Sequence, residues 1–100
     1  MSLGFHVTAT ARKDAVEAQR FLEGDTTDAG PRFREELERC WRYIAQYPHG
    51  FRIRHRQFRY ATLDVFRYHV IHSVGQRSIV VHRIRHMHQQ PLKRYFGGST

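Results

Sequence analysis

The hydrophobic period of the chain changes at Gly50, and this change limits the folds that are open to it. Before Gly50, apolar residues recur every three or four positions, as they do along amphipathic helices. After Gly50, they recur at every second position, which is typical of strands with one buried face. A chain of 100 residues has enough material for one core between two layers. The sequence therefore predicts an α+β fold with its helices first and most of its strands last.

Two helices are predicted before Gly50. Four small or aliphatic residues recur at helical spacing through residues 9–22: Ala11, Ala15, Ala18 and Leu22. Thr8 is a suitable N-cap for this helix. A second apolar stripe, from Phe33 to Ile44, predicts a longer helix. Its glutamates and arginines, Glu36 among them, are expected on the solvent-facing side, where a few helical ion pairs can form.

Four strands are predicted around the two helices. A short one at residues 5–8 precedes them, and three follow in an antiparallel meander. The first of these covers residues 51–60 with a bulge or bend inside it, the second includes residues 66–70, and the third covers residues 78–84 after a hairpin turn at Gly75. The predicted order is β-α-α-β-β-β, with two N-terminal helices on one face of a small, mainly antiparallel sheet.

This arrangement divides the side chains of the sheet between two faces. Three apolar residues of the 66–70 strand share one parity: Phe66, Tyr68 and Val70. If they pack under the helices, Arg67 and His69 point to the opposite, open face, where Arg59 can join them. We therefore expect a basic face on the sheet.

The charge of the chain is unevenly distributed. Residues 1–40 hold six basic and eight acidic side chains, whereas residues 41–100 hold eleven basic side chains and one acid, Asp64. Seven of the eight histidines also lie in the second part. A field of one sign favours a polyanionic partner or an acidic protein, and a solvated basic surface with no dedicated partner remains the alternative.

The composition argues against several other classes of protein. Residues 1–20 have no apolar stretch of the kind that signal peptides carry, and the aliphatic runs are too short to span a membrane. The single cysteine, Cys40, cannot form an internal disulfide and falls on a helical apolar stripe, which is compatible with a reducing compartment. We expect a cytoplasmic protein with one domain over residues 1–100, of which residues 1–4 and 96–100 are flexible.

A metal site is a further possibility that the residues argue against. His82, His86 and His88 would share a parity on an extended strand, and closely spaced histidines can bind zinc. No cysteine or acid lies near them in the sequence, and the surrounding arginines would repel a cation. We therefore expect no metal and no cofactor.

Three segments in this order are similar to a known group of proteins. They are FHVTATARKDAVEAQRFL at residues 5–22, PRFREELERCWRYIAQYP at residues 31–48, and FRYATLDVFRYHVIHSVGQRSIVVHRIRHMHQQP at residues 58–91. Together they resemble the RelE/ParE superfamily, the toxins of type II toxin–antitoxin systems. The resemblance covers residues 5–91 and consists of weak motifs in the right order.

The resemblance implies two alternative activities. RelE-like members are ribosome-dependent endonucleases that cleave mRNA, whereas ParE-like members inhibit DNA gyrase. Both are neutralised by an antitoxin whose C-terminal segment, usually acidic, wraps the toxin, so a toxin–antitoxin heterotetramer is expected. The remaining alternative from the residues themselves is a non-catalytic basic module that binds nucleic acid or protein.

For the nuclease activity, the resemblance implies a metal-independent site on the open face of the sheet. Arg67, Arg85 and His86 would be the catalytic groups, with the arginines stabilising the charge on phosphorus and His86 as the acid or base. Four further residues would contact substrate or antitoxin: Arg59, His69, Arg83 and Tyr95. The meander has no glutamate that could serve as the base and no Lys-x-Lys pair, so whether the chain is an enzyme stays open.

Overall fold

The computed structural model describes residues 3–89, which form two helices packed on one face of a five-stranded mixed sheet. The elements are β1 (Gly4–Val7), α1 (Ala9–Glu23), α2 (Ala29–Gln46), β2 (Ile53–His55), β3 (Phe58–Thr62), β4 (Tyr68–Val74) and β5 (Ser78–His86). The strand order is β1-β5-β4-β3-β2, with β1 parallel to β5 and the other pairs antiparallel. None of the described helices is long and apolar enough to cross a membrane.

The predicted helices and their buried stripes are confirmed. Thr8 caps α1, since its hydroxyl oxygen accepts a hydrogen bond from the Ala11 N–H at 3.0 Å. Helix α1 buries Ala11 and Ala18 against the sheet. Small residues at these positions let the α1 backbone approach the strands closely, which leaves the larger side chains of the core to come from α2 and the sheet.

The core lies between α2 and the central strands. Phe33 of α2 is fully buried and meets two aromatic rings edge-on, Phe66 at 5.7 Å and Tyr68 at 5.2 Å between centroids. Val70 of β4 and Val81 of β5 are completely buried in the same cluster. The apolar parity predicted for residues 66–70 is therefore the parity that faces the helices.

The segment from residue 51 to residue 60 is a hairpin, not one bent strand. Strands β2 and β3 pair antiparallel, with Ile53 opposite Arg59 and His55 opposite Phe58. Arg56 between them has a φ of 53°, the left-handed conformation that tight turns require. The sequence did not reveal this turn because it contains arginine and glutamine at positions where asparagine or glycine is usual.

Strand β1 lies one residue earlier than predicted, at Gly4–Val7, and the bounds of β4 and β5 differ as well. Strand β4 begins at Tyr68, so Phe66 and Arg67 belong to the preceding turn, and Arg67 has a φ of 56°. Strand β5 continues past Ile84 to His86. The differences in β4 and β5 lie at the same end of the sheet, where Tyr68 pairs with His86.

The face of the sheet opposite the helices, called the second face below, carries an apolar layer of its own. Phe58 and Ile71 are only 4% and 1% exposed, yet neither belongs to the cluster under the helices. Phe58 meets the ring of His82 edge-on at 5.2 Å. The face that was expected to be open therefore buries two large side chains under the polar groups around them.

A β-bulge in β5 decides which residues lie on this second face. Ile71 of β4 is opposite Arg83, but the next residue, His72, is opposite Val81. His82 is therefore the extra residue in β5. Because of it, Val81 and Ile84 both reach the helix-facing cluster although they are three positions apart.

Glu36 of α2 has a structural role that the sequence did not reveal. One of its carboxylate oxygens accepts hydrogen bonds from the Asp64 N–H at 3.0 Å and the Val65 N–H at 3.1 Å. It thereby fixes the turn before β4 to α2 and does not belong to the solvated outer face. Burial, with Glu36 and Asp64 nearby, raises the pKa of Cys40 to about 12, so this thiol stays protonated and unreactive.

His72 of β4 is completely buried. Its Nδ1 lies 3.2 Å from the Val70 carbonyl oxygen, Phe51 covers it edge-on at 5.6 Å, and its Nε2 has no hydrogen-bond partner. Burial lowers the pKa of His72 below the ordinary 6.5, the Val70 carbonyl opposes this, and Arg59 and His82 add to the lowering. The folded protein therefore holds His72 as a neutral ring.

We expect His72 to make folding stability pH-dependent. Since its pKa is lowered in the folded state, the unfolded chain binds more protons, and stability present above about pH 6.5 is lost as the pH falls below it. His72→Gln should flatten this acid-side loss in thermal unfolding curves measured over a pH series. His6→Gln, which changes an exposed histidine of β1, should leave the slope as in the wild type. Equal slopes in all three proteins would contradict the assignment.

Candidate functional site

The edge of β5 is closed by Asp14 of α1. Beyond the end of β1, the Ile84 N–H donates to the Asp14 carboxylate at 3.0 Å, and the Arg83 guanidinium donates to both of its oxygens at 2.7 and 3.2 Å. The side chain of Asp14 is only 11% exposed and that of Arg83 is 26% exposed. Arg83, predicted as a contact for substrate or antitoxin, is thus held in a bidentate pair inside the protein.

Arg59 does not lie with His69 on the second face of the sheet. It is opposite His72 in the register, and Ala61, two residues later, belongs to the helix-facing cluster. Its guanidinium donates to the Phe51 carbonyl oxygen at 2.6 Å. The prediction that Arg59 joins a cationic open face is wrong, because the register between β3 and β4 gives it the parity of Ala61.

Arg67 is exposed at the end of the sheet. Its carbonyl oxygen accepts the Met87 N–H at 3.0 Å, and its guanidinium lies 3.7 Å from the Met87 sulfur. The prediction attributed its outward direction to strand alternation. In the structure, Arg67 precedes β4, and its direction follows from its left-handed backbone conformation.

A row of four side chains crosses the second face from β2 to β5. The Arg54 guanidinium carbon lies 4.7 Å from the centre of the Tyr60 ring, and that ring lies 5.3 Å from the ring of His69. His69 is opposite Arg85 in the register. The structure thus brings together two predicted site residues, His69 and Arg85, and adds Arg54 and Tyr60 to them. We call these four residues the basic row.

The imidazole of His69 is held within the basic row. Its Nδ1 lies 2.8 Å from the Thr62 hydroxyl oxygen. Burial lowers the pKa of His69, and the positive charge of Arg54 and His86 adds to this. At neutral pH, His69 is therefore a neutral ring between two arginines.

His86 lies on the other side of the sheet from Arg85. Adjacent strand residues point to opposite faces, and His86 meets the ring of Tyr68 edge-on at 5.0 Å, on the helix-facing side. With Tyr68, Phe21 and Glu17, it lines a cavity of about 400 Å³ between α1 and the end of β5. The predicted catalytic group of Arg67, Arg85 and His86 is therefore divided between the two faces.

The turn after β5 also engages the His86 ring. The His88 N–H donates to His86 Nδ1 at 3.1 Å, and the His86 N–H donates to the Gln89 side-chain oxygen at 2.7 Å. The Nδ1 atom of His86 is therefore the acceptor that holds this turn. While this hydrogen bond is made, Nδ1 of His86 cannot exchange a proton with a substrate.

The histidines considered for zinc do not share a face. The bulge leaves His82 on the second face of the sheet, hydrogen-bonded to Ser73 at 2.8 Å, whereas His86 faces α1. Between residues 3 and 89, no three histidine, cysteine or acidic side chains are grouped so that they could hold a metal ion. Tyr95, predicted as a contact residue, lies outside the described residues.

The sequence did not reveal which side chains of the same protein contact each arginine. Asp14 was visible only as part of a lysine–aspartate pair in a helix, and its contact is 69 positions away in the chain. Arg54 and Tyr60 could have been found if the turn at Arg56 had been recognised, because the hairpin then gives both of them the same parity.

The fold and this arrangement define a class of small basic α+β proteins with two helices on a mixed sheet. The chain belongs to the ParE toxin family. The model of this family, described as the ParE toxin of the type II toxin–antitoxin system parDE, matches residues 5–91. The chain is similar to a solved structure described as a chromosomal ParDE toxin–antitoxin system from P. aeruginosa. That match has a TM-score of 0.76 and 13% identity, and it covers 85% of this chain and 96% of the other. At this identity, the likeness shows the fold alone. No curated protein matches the chain significantly.

The Asp14 contact predicts a stability defect. Asp14→Ala leaves the Arg83 guanidinium and the Ile84 N–H without their partner, so we expect the free energy of unfolding to fall by about 1–3 kcal/mol. Urea denaturation measures this loss. Glu17→Ala, which removes an exposed carboxylate from the same helix, should change stability by less than about 0.5 kcal/mol. Equal effects of the two substitutions would show that Asp14 contributes only its charge.

Proposed function

We propose that this chain is a growth-inhibiting toxin, neutralised by a cognate acidic antitoxin, and that it inhibits DNA gyrase. Membership of the ParE toxin family supports the toxin and the antitoxin. The similar structure is described as a ParDE toxin–antitoxin system, which supports a complex such as a toxin–antitoxin heterotetramer. Gyrase is a cytoplasmic target, so the toxin acts in the cytoplasm.

The observation that favours gyrase over mRNA is the position of His86. RNA cleavage needs a proton donor or acceptor beside the cations that stabilise the charge on phosphorus. His86 faces α1 and its Nδ1 is occupied by the His88 N–H, whereas Arg85 shares a register pair with His69 on the other face. An inhibitor that acts by binding does not need these groups together.

Ribosome-dependent mRNA cleavage is the second candidate, and the basic row is the observation that favours it. Arg85 and His69 lie opposite each other on neighbouring strands, and Arg67 is exposed at the end of the same sheet. In that mechanism, Arg67 and Arg85 stabilise the phosphate charge and His69 contacts the substrate.

The two candidates differ in what fails first after induction. In bacteria with tightly controlled expression of this chain, pulse-labelling should show DNA synthesis falling before protein synthesis. Purified gyrase should lose supercoiling activity when the toxin is added. An early collapse of protein synthesis would instead favour mRNA cleavage, and unchanged synthesis of both with a folded protein would contradict the toxin proposal.

Substitution of His86 separates the mechanisms further. His86→Gln should leave growth inhibition within about twofold of the wild type if the protein acts on gyrase, because the ring then has no chemical role. A nuclease that uses His86 should lose roughly a hundredfold or more of its activity. Copurification with the antitoxin serves as the folding control for the variant. Loss of toxicity in a variant that still binds the antitoxin would contradict the gyrase proposal.

A further inference from the structure

The basic row lies on strands that contain no acidic residue. None of the five described strands contains an aspartate or glutamate, and the acids of the described chain belong to the helices and the loops that join the elements. Arg54 and Arg85 mark the ends of the row on β2 and β5. Neighbouring strands are about 4.8 Å apart, so the row spans about 14 Å across the sheet.

Cations and rings alternate along the basic row. A surface that bound an acidic partner by charge alone would not need the rings. The guanidinium of Arg54 is stacked on Tyr60, Tyr60 contacts His69, and His69 is opposite Arg85. Carboxylates of an acidic peptide gain little from the rings, whereas nucleic-acid bases stack on aromatic rings and on guanidinium planes. The arginines at the two ends can meet phosphates on either side of the stacked bases.

We propose that the basic row binds single-stranded nucleic acid, with Arg54 and Arg85 on phosphates and the surface of Tyr60 and His69 against bases. A duplex hides the faces of its bases, so the rings favour a single strand. The lowered pKa of His69 supports this arrangement, since a neutral ring stacks without adding a third charge. The inference goes beyond gyrase inhibition, which does not require this contact. It does not depend on mRNA cleavage either, since binding at the row requires no chemical step.

The proposal is tested with purified toxin and labelled oligonucleotides of about 12 nucleotides, a length that covers one such site. Fluorescence anisotropy compares single-stranded DNA, single-stranded RNA and duplex DNA over a salt series. We expect either single strand to bind at least about fivefold more tightly than the duplex. The DNA and RNA arms identify which of the two is preferred.

Substitutions in the row separate stacking from charge. Arg54→Gln should weaken binding at least about fivefold and reduce the salt slope by about 0.7, the value for one phosphate contact on a single strand. Arg54→Lys keeps the charge but loses the planar group, so affinity should fall while the salt slope stays the same. Tyr60→Leu should likewise lower affinity without a change in salt slope.

The matched control removes the same charge from the helix layer. Arg20→Gln changes an exposed arginine in the last turn of α1 and should alter affinity by less than about twofold. Since Arg54 and Arg20 are both exposed, their variants are expected to fold, which thermal unfolding verifies.

Two results would overturn the proposal. Equal losses from Arg54→Gln and Arg20→Gln would show that the overall positive charge binds any polyanion. Displacement of the oligonucleotide by polyglutamate at an equal concentration of charge, with equal affinity for duplex and single strands, would identify the row as a surface for an acidic peptide. Neither result bears on gyrase inhibition, which the supercoiling assay measures separately.

Discussion

The contact between Asp14 and the edge of β5 holds the two layers of this protein together where strand pairing ends. Strand β1 covers β5 only as far as Val81, and β5 then continues to His86. An unpaired N–H in a partly buried edge is costly, and the Asp14 carboxylate satisfies it while it also neutralises Arg83. The carboxylate thereby ties α1 to β5 beside the cavity that His86 lines.

This contact also shows that a cation of the sheet can serve the fold and not a partner. In a chain so rich in arginine, a basic side chain near a sheet can serve the fold or a partner, and only its surroundings distinguish the two. Arg83 and Arg59 are bound to acceptors inside the protein, whereas Arg54 and Arg67 are exposed. The candidate surface is therefore narrower than the charge of the sequence suggests.

The order of helices and strands could be predicted because period and capping are local properties. Thr8, the stripe of α1 and the apolar parity of Tyr68 and Val70 all follow from neighbouring residues. The faces of individual cations could not be predicted, since the register between β3 and β4 decides the face of Arg59, and one bulge at His82 shifts that of His86. A strand transmits such a change to every residue beyond it, so a single local error reaches the whole site.

The absence of acids from the strands also affects how the protein associates with its partners. The acids lie in the helices and the loops, and the strands carry arginines and histidines without any acid. Because the helices hold nearly as many acids as bases, the positive potential is stronger over the sheet than over the helices. In the field of a polyanion, the molecule turns its sheet forward before contact, so encounters are faster and better oriented at low ionic strength. The charge pattern thereby acts on the rate of association, even where side chains of the sheet make no direct bond to the partner.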